Sequence, residues 1–251
     1  MKSSRPLTAL AITALLVIVG RGAVQAQKRP TPAKLPGKPT PEWDAIFARE
    51  KGWTGADGCY SVELGDGRTL WLYSDTWVGT VAQGKHAEGS RLVNNSIGLQ
   101  PAVINGKAPK RGSLEFHWGK PGKDGRPRAW IEPDLPPDDP QAASKSWYWL
   151  LDGCMISPPG EGKKLLVFLM HMGRKKEGGD GVFNFRMLGG ALAVISNPQD
   201  DPSQWKIRQT VNPHSRRTGA DDISWATALY HSEGEGPGES GTLYIYGVRD
   251  V

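Results

Sequence analysis

The chain has 251 residues, 23% of them charged, and a formal charge of +5. That excess falls to +2 when residues 1–26, which carry Lys2, Arg5 and Arg21 and no acidic residue, are set aside. The remaining basic residues are scattered, and the run Arg174-Lys175-Lys176 sits beside Glu177 and glycines, so a nucleic-acid-binding face is excluded. With 32 Gly, 20 Pro and 10 Trp, the composition favours strands and turns over helices, because Gly supplies positive φ and Pro ends helices.

Residues 1–26 read as a cleavable signal peptide. Lys2 and Arg5 precede an apolar run from Leu7 to Gly20, and Ala23-Val24-Gln25-Ala26 offers small residues for a cut before Gln27. The run is short for a membrane span, which needs about 20 residues, and no Cys follows it closely. The expectation is a secreted or periplasmic protein with no stable membrane anchor. Residues 27–42 hold Pro30, Pro32, Pro36, Pro39 and Pro41 and are expected to form an extended linker. A short helix is expected from Pro41 to Glu50, with Trp43, Ile46 and Phe47 on one side.

Residues 43–251 are organised by an internal repeat. The first unit runs Gly55-Ala56-Asp57-Gly58-Cys59-Tyr60-Ser61-Val62, turns at Gly65-Asp66-Gly67, and continues Thr69-Leu70-Trp71-Leu72-Tyr73. The second runs Leu151-Asp152-Gly153-Cys154-Met155-Ile156-Ser157, turns through Pro158-Pro159-Gly160, and continues Leu165-Leu166-Val167-Phe168-Leu169. The third runs Gly219-Ala220-Asp221-Asp222-Ile223-Ser224-Trp225-Ala226 and returns through Thr242-Leu243-Tyr244-Ile245-Tyr246. Each is an acidic opener followed by a hairpin. Third strands are expected at 96–100 and 190–195, and fourth, edge strands at 114–118 and 205–208.

Four antiparallel strands per unit, repeated, predict an all-β fold: a β-propeller of four-stranded blades. A sandwich or jelly roll gives no reason for a recurring acidic opener. By this parse the chain contains about two and a half blades, whereas a propeller closes with roughly four to eight. The propeller is therefore expected to be incomplete, either truncated or completed by another chain.

The stretch from Gly55 through Trp77, with Asn95-Ser96-Ile97 after it, resembles the first blade of secreted bacterial five-bladed propellers related in shape to glycoside hydrolase families 43, 32 and 117. The resemblance spans about residues 50–250 and is most specific in the first blade. It implies a funnel lined by acidic residues that acts on carbohydrate. By this resemblance Asp57 is the candidate general base, Asp152 a second, orienting acid, and Asp222 or its neighbour Asp221 the third. The pattern favours Glu at that third place as proton donor, so the general acid is left open. The alternative is a propeller that binds glycans or proteins without catalysis, and a third reading is a fragment with no function of its own. Two carboxyls suit glycoside hydrolysis because one protonates the leaving oxygen while the other activates water or attacks.

Trp53, Asp75, Trp77 and His171 are candidate substrate contacts at the strand openings and exits. Asp75 also has a structural reading, fixing the exit of its strand. Trp147 and Trp149 could stack on sugar rings or simply pack between blades. Cys59 and Cys154 are expected to be two small buried thiols rather than a disulfide. No cofactor or metal is expected, since neither CxxC nor paired His accompanies them. Asn94-Asn95-Ser96 matches a glycosylation sequon.

Overall fold

The computed structural model describes residues 37–134, 145–175, 181, 183–215, 217, 222–232 and 241–250. The expected signal peptide, most of the linker and Asp221 lie outside the described residues. No described helix is long and apolar enough to cross a membrane.

Helix α1 (Pro41–Phe47) starts on Pro41, which needs no helical N–H, and carries Glu42 and Asp44 in its first turn. Its Ile46 is fully buried. The helix stops earlier than expected because Ala48 is already extended and the Glu50 carbonyl accepts the Val81 N–H at 2.8 Å.

The chain then runs through β1 (Lys51–Ala56), β2 (Tyr60–Glu63), β3 (Thr69–Tyr73), β4 (Thr76–Ala82), β5 (Lys85–His86), β6 (Arg91–Val93), β7 (Ser96–Gln100) and β8 (Glu115–His117). It continues with β9 (Ser146–Ile156), β10 (Lys164–Arg174), β11 (Phe185–Ile195), β12 (Ile207–Val211), β13 (Asp222–Ser232) and β14 (Thr242–Asp250). The protein is nearly all β, and its main sheets are four-stranded and antiparallel. The first orders its strands β2-β3-β7-β8, the second β12-β11-β10-β9, and β13 pairs with β14.

Two further departures from expectation lie in the strand layout. A ribbon formed by β1, β4, β5 and β6 extends the β2–β3 hairpin beyond its sheet. The fourth strand of the second sheet starts at Ile207, because Asp201 caps a 3-10 turn (Pro202–Gln204) that leaves Trp205 in the core instead.

Strand alternation builds the main core. Leu70 and Leu72 of β3, Leu165, Val167 and Leu169 of β10, and Ala191, Ala193 and Ile195 of β11 meet in one cluster, all nearly inaccessible. The two sheets approach closely where β9 packs on β2. A Cβ on Gly153 would lie 2.6 Å from the Leu166 carbonyl oxygen and 3.1 Å from Val62 Cγ2, so glycine is required there. β9 also packs against β13, which places the opening strands of successive sheets side by side.

Candidate functional site

The site forms where β3 ends and the long hairpin bends. Gly58 adopts φ +57, and a Cβ there would stand 3.0 Å from Ser74 Oγ, so the bend depends on glycine. Across the bend the Asp57 N–H donates to the Asp75 carbonyl at 3.0 Å and the Ser74 N–H donates to the Asp57 carbonyl at 2.9 Å. These two backbone bonds bring Asp57 and Asp75 together. The Ser74 hydroxyl then donates to the Leu150 carbonyl of β9 at 3.2 Å, tying the bend to the second sheet.

Asp75 is held by side chains from two other elements. Trp149 Nε1–H on β9 donates to its Oδ1 at 2.9 Å, and Asn94 Nδ2–H donates to the same oxygen at 3.2 Å. No described residue donates to its Oδ2. Asp57 is open to solvent. Partial burial of its carboxyl raises its pKa above the ordinary 3.8, the negative charge of Asp75 raises it further, and a hydrogen bond from the Asp75 backbone opposes both. The Asp57 proton is therefore held more tightly than that of a free aspartate.

A buried frame supports this pair. Asn95, fully buried, donates from Nδ2 to the Ile131 and Tyr148 carbonyls and accepts the Ile131 N–H, each at 2.9 Å. Thr76 Oγ1 donates to the Ser74 carbonyl at 2.7 Å and shares a hydrogen bond with Ser96 Oγ at 2.8 Å. Asn94 and Asn95 are site residues that sequence reading passed over. Their signal was the Asn-Asn-Ser motif, read as a sequon although the Asn94 amide is engaged with Asp75.

The other candidates stand elsewhere. Asp152 does not join the pair: its Oδ1 accepts the Gly153 N–H and its Oδ2 the Leu229 N–H, each at 2.8 Å, so it braces β9 against β13. Asp222 opens β13 opposite Asp250, with Arg217 Nη1 at 3.0 Å from its carboxylate. Because Asp152 meets β13 at Leu229, Asp222 lies seven residues away along the strand, roughly 20 Å at the usual rise. Asp152 and Asp222 are thus far apart along β13, and each carboxylate is held by partners other than Asp57 and Asp75.

Trp53 is a correction as well. It is 8% exposed, stacks on Phe116 at 4.0 Å and 7°, and donates to Ser96 Oγ at 3.2 Å, so it is core and cannot meet a ligand. His171 is also buried, edge-on to Tyr148 at 5.0 Å. Trp77 is half-buried and carries the His86 ring on one face at 4.3 Å.

Cys154 is a buried free thiol pushed up to about 11 by burial first and by the Asp152 charge second. Cys59 is free too but lies at the surface, unlike the buried thiol expected there. Among the described residues no group of three or more His, Cys, Asp or Glu is placed to hold a metal ion.

The model of a family described as a domain of unknown function (DUF5005) matches residues 41–250. The chain belongs to the DUF5005 family. A crystal structure from Bacteroides ovatus ATCC 8483, described as "a putative hydrolase", is similar to this DUF5005 chain with a TM-score of 0.54 and 18% identity. The match covers 77% of this chain and 47% of that one, so the DUF5005 chain spans about half the length of the solved structure. At that identity the likeness speaks for fold alone. No curated protein matches the chain.

The two carboxyls set the chemistry open to this DUF5005 member. Asp57 holds its proton to a higher pH than a free aspartate does, and Asp75, fixed on one oxygen, presents the other. The arrangement suits proton donation beside a negative charge.

Proposed function

We propose that this protein is a carbohydrate-active hydrolase, exported from the cytoplasm, whose sheets are consecutive blades of a β-propeller and whose reacting carboxyls are Asp57 and Asp75. The observation that carries the reading is the pairing itself: two acids joined by backbone bonds at a strand end, with the Asp57 pKa raised by partial burial and by its neighbour's charge. The neighbouring order of β2, β9 and β13 supports the blade arrangement. The hydrolase description of a similar structure agrees with the reading.

In this scheme Asp57 acts as general acid, not as the base that the resemblance implied. It protonates the glycosidic oxygen as the bond to the sugar breaks, and Asp75 stabilises the positive charge that develops on the sugar ring or directs water to it. Trp149 and Asn94 hold Asp75 in place during this change of charge. A second reading, a glycan-binding protein without catalysis, is favoured by the engagement of Asp152 and Asp222 elsewhere, which leaves two acids where the resemblance implied three.

A glycan-panel hydrolysis screen on the folded protein beside Asp57→Asn and Asp75→Asn tests the choice. Sugar release by the parent, reduced at least about 100-fold in each variant, supports the hydrolase. Binding without turnover by all three moves the assignment to the glycan-binding reading.

A further inference from the structure

We propose that the outer face of the β13–β14 hairpin is a self-association surface, on which a second copy of this chain docks face to face about a two-fold axis.

Inside the chain the sheets stack through apolar faces. Leu70 and Leu72 of the first sheet meet Leu165, Val167 and Leu169 on one face of the second. Phe168, on the opposite face of β10, packs with Leu151 and Ala226, and Leu229 of β13 lies against them. The two ends of this stack differ. At the first sheet the outer face is covered: Phe47 of α1 meets Trp71 edge-on at 5.1 Å, and Trp53 lies 5.2 Å from Tyr73. At the β13–β14 hairpin it is open. Tyr230, Tyr244, Tyr246 and Val248 are between 48% and 59% exposed, and strand alternation puts all four on the face turned away from Leu229. Tyr230 stands opposite Tyr244, with the rings 5.8 Å apart. Among the described residues, no strand outside this hairpin holds more than one exposed large apolar side chain.

A second copy fits this face by symmetry, polarity and area. The far end of the stack is closed by α1 and Trp53, so a head-to-tail array has no sheet face to dock on. Two open faces brought together cover each other. The centre of the face carries no charge, so like meets like without repulsion. Its polar groups are tyrosine hydroxyls, which both donate and accept, so the surface can satisfy itself across a two-fold axis. Three half-exposed tyrosines and a valine offer on the order of 300–400 Å² of apolar surface per copy. A standard interface takes about 800 Å² from each partner, a little over half of it apolar, so the face suits a modest dimer rather than an obligate one. An added peptide strand would pair with the β14 edge and leave these rings in water.

The test is sedimentation velocity on the full chain between about 1 and 100 µM. A reducing agent is present so that the exposed Cys59 thiol does not link copies. The expected result is a reversible monomer–dimer equilibrium that stops at two copies, with a Kd on the order of 10 µM. Tyr246→Lys puts a charge at the centre of the face and should leave only monomer over that range. Tyr244→Thr keeps strand propensity, removes one ring and should weaken association about tenfold. Phe183→Lys, at an exposed ring outside the hairpin, should leave association unchanged, and far-UV circular dichroism checks that each variant is folded. A parent that stays monomeric at the highest concentration, a dimer indifferent to both tyrosine variants, or one broken equally by Phe183→Lys overturns the proposal. Assembly past two copies overturns it too, because face-to-face docking closes at two. Glycan binding by a monomeric parent that Tyr246→Lys abolishes would assign the face to a saccharide instead.

Discussion

Asp75 and Asp152 both sit where one sheet meets the next, and they are held in opposite ways. Asp152 has one oxygen on the Gly153 N–H and the other on the Leu229 N–H, both backbone groups that cannot move without moving a strand. Asp75 has a single oxygen engaged, by the Trp149 indole and the Asn94 amide, while a second acid lies beside it. A carboxylate bonded by backbone on both oxygens is a brace. One gripped on a single oxygen by side chains keeps an oxygen for chemistry.

The comparison can be broken at its structural end first. Asp152→Ala leaves the Leu229 N–H without its acceptor and should cost about 2–3 kcal/mol in denaturant unfolding, with ligand binding at Asp75 retained in the folded fraction. Equal losses of stability and binding would mean that Asp152 belongs to the site after all. Gly153→Ala probes the same junction. A new Cβ 2.6 Å from the Leu166 carbonyl oxygen forces β9 away from β10, and a loss of about 1–2 kcal/mol is expected from the same measurement.

Trp149→Phe removes one N–H and little volume. It should cost about 1 kcal/mol while lowering activity by a larger factor than stability alone explains, as steady-state kinetics on the folded variant would reveal.

The smallest effect is a matter of sign. The Asp57 pKa is raised in the folded protein, so its stabilising contribution is present below 3.8 and is lost as pH rises through the folded value. Asp57→Asn should therefore match the parent in strongly acidic solution and be slightly more stable than it at neutral pH. Asp75→Asn should bring the Asp57 titration back toward 3.8, which carboxyl carbon NMR reads directly. A titration unmoved by that change would sink the idea that the two acids form one site.

Much of the sheet architecture was legible because it is written locally. The turn at Gly65-Asp66-Gly67 uses left-handed φ at both glycines, and the alternating run Thr69–Tyr73 puts Leu70 and Leu72 on one face. The ribbon of β1 and β4 was missed because it continues a hairpin through a bend, and nothing in Lys51–Ala56 separates it from the strand of the first sheet that comes after it. The separation of Asp152 from Asp222 has a related reason. Counting residues from an acid makes Asp152 and Asp222 equivalent, whereas register is set by bulges. In β9 the bulge falls between Leu150 and Gly153 and includes Asp152, but in β13 it falls between Trp225 and Ala228, well past Asp222. Trp149 and Asn94, far apart in the chain, meet only through Asp75, and no spacing rule joins them.

The buried amide of Asn95 bears on how this protein ages chemically. Asn-Ser is a pair prone to spontaneous deamidation when the following backbone nitrogen can swing onto the side-chain carbonyl. Here that nitrogen belongs to β7, where Ser96 pairs with Tyr73, and all three amide contacts of Asn95 point elsewhere. Were the amide lost, the new oxygen would oppose the Ile131 and Tyr148 carbonyls and part the two sheets. The folded chain thus guards a bond that its unfolded form leaves open, and slow conversion of Asn95 to aspartate would serve as a clock for how often this junction opens.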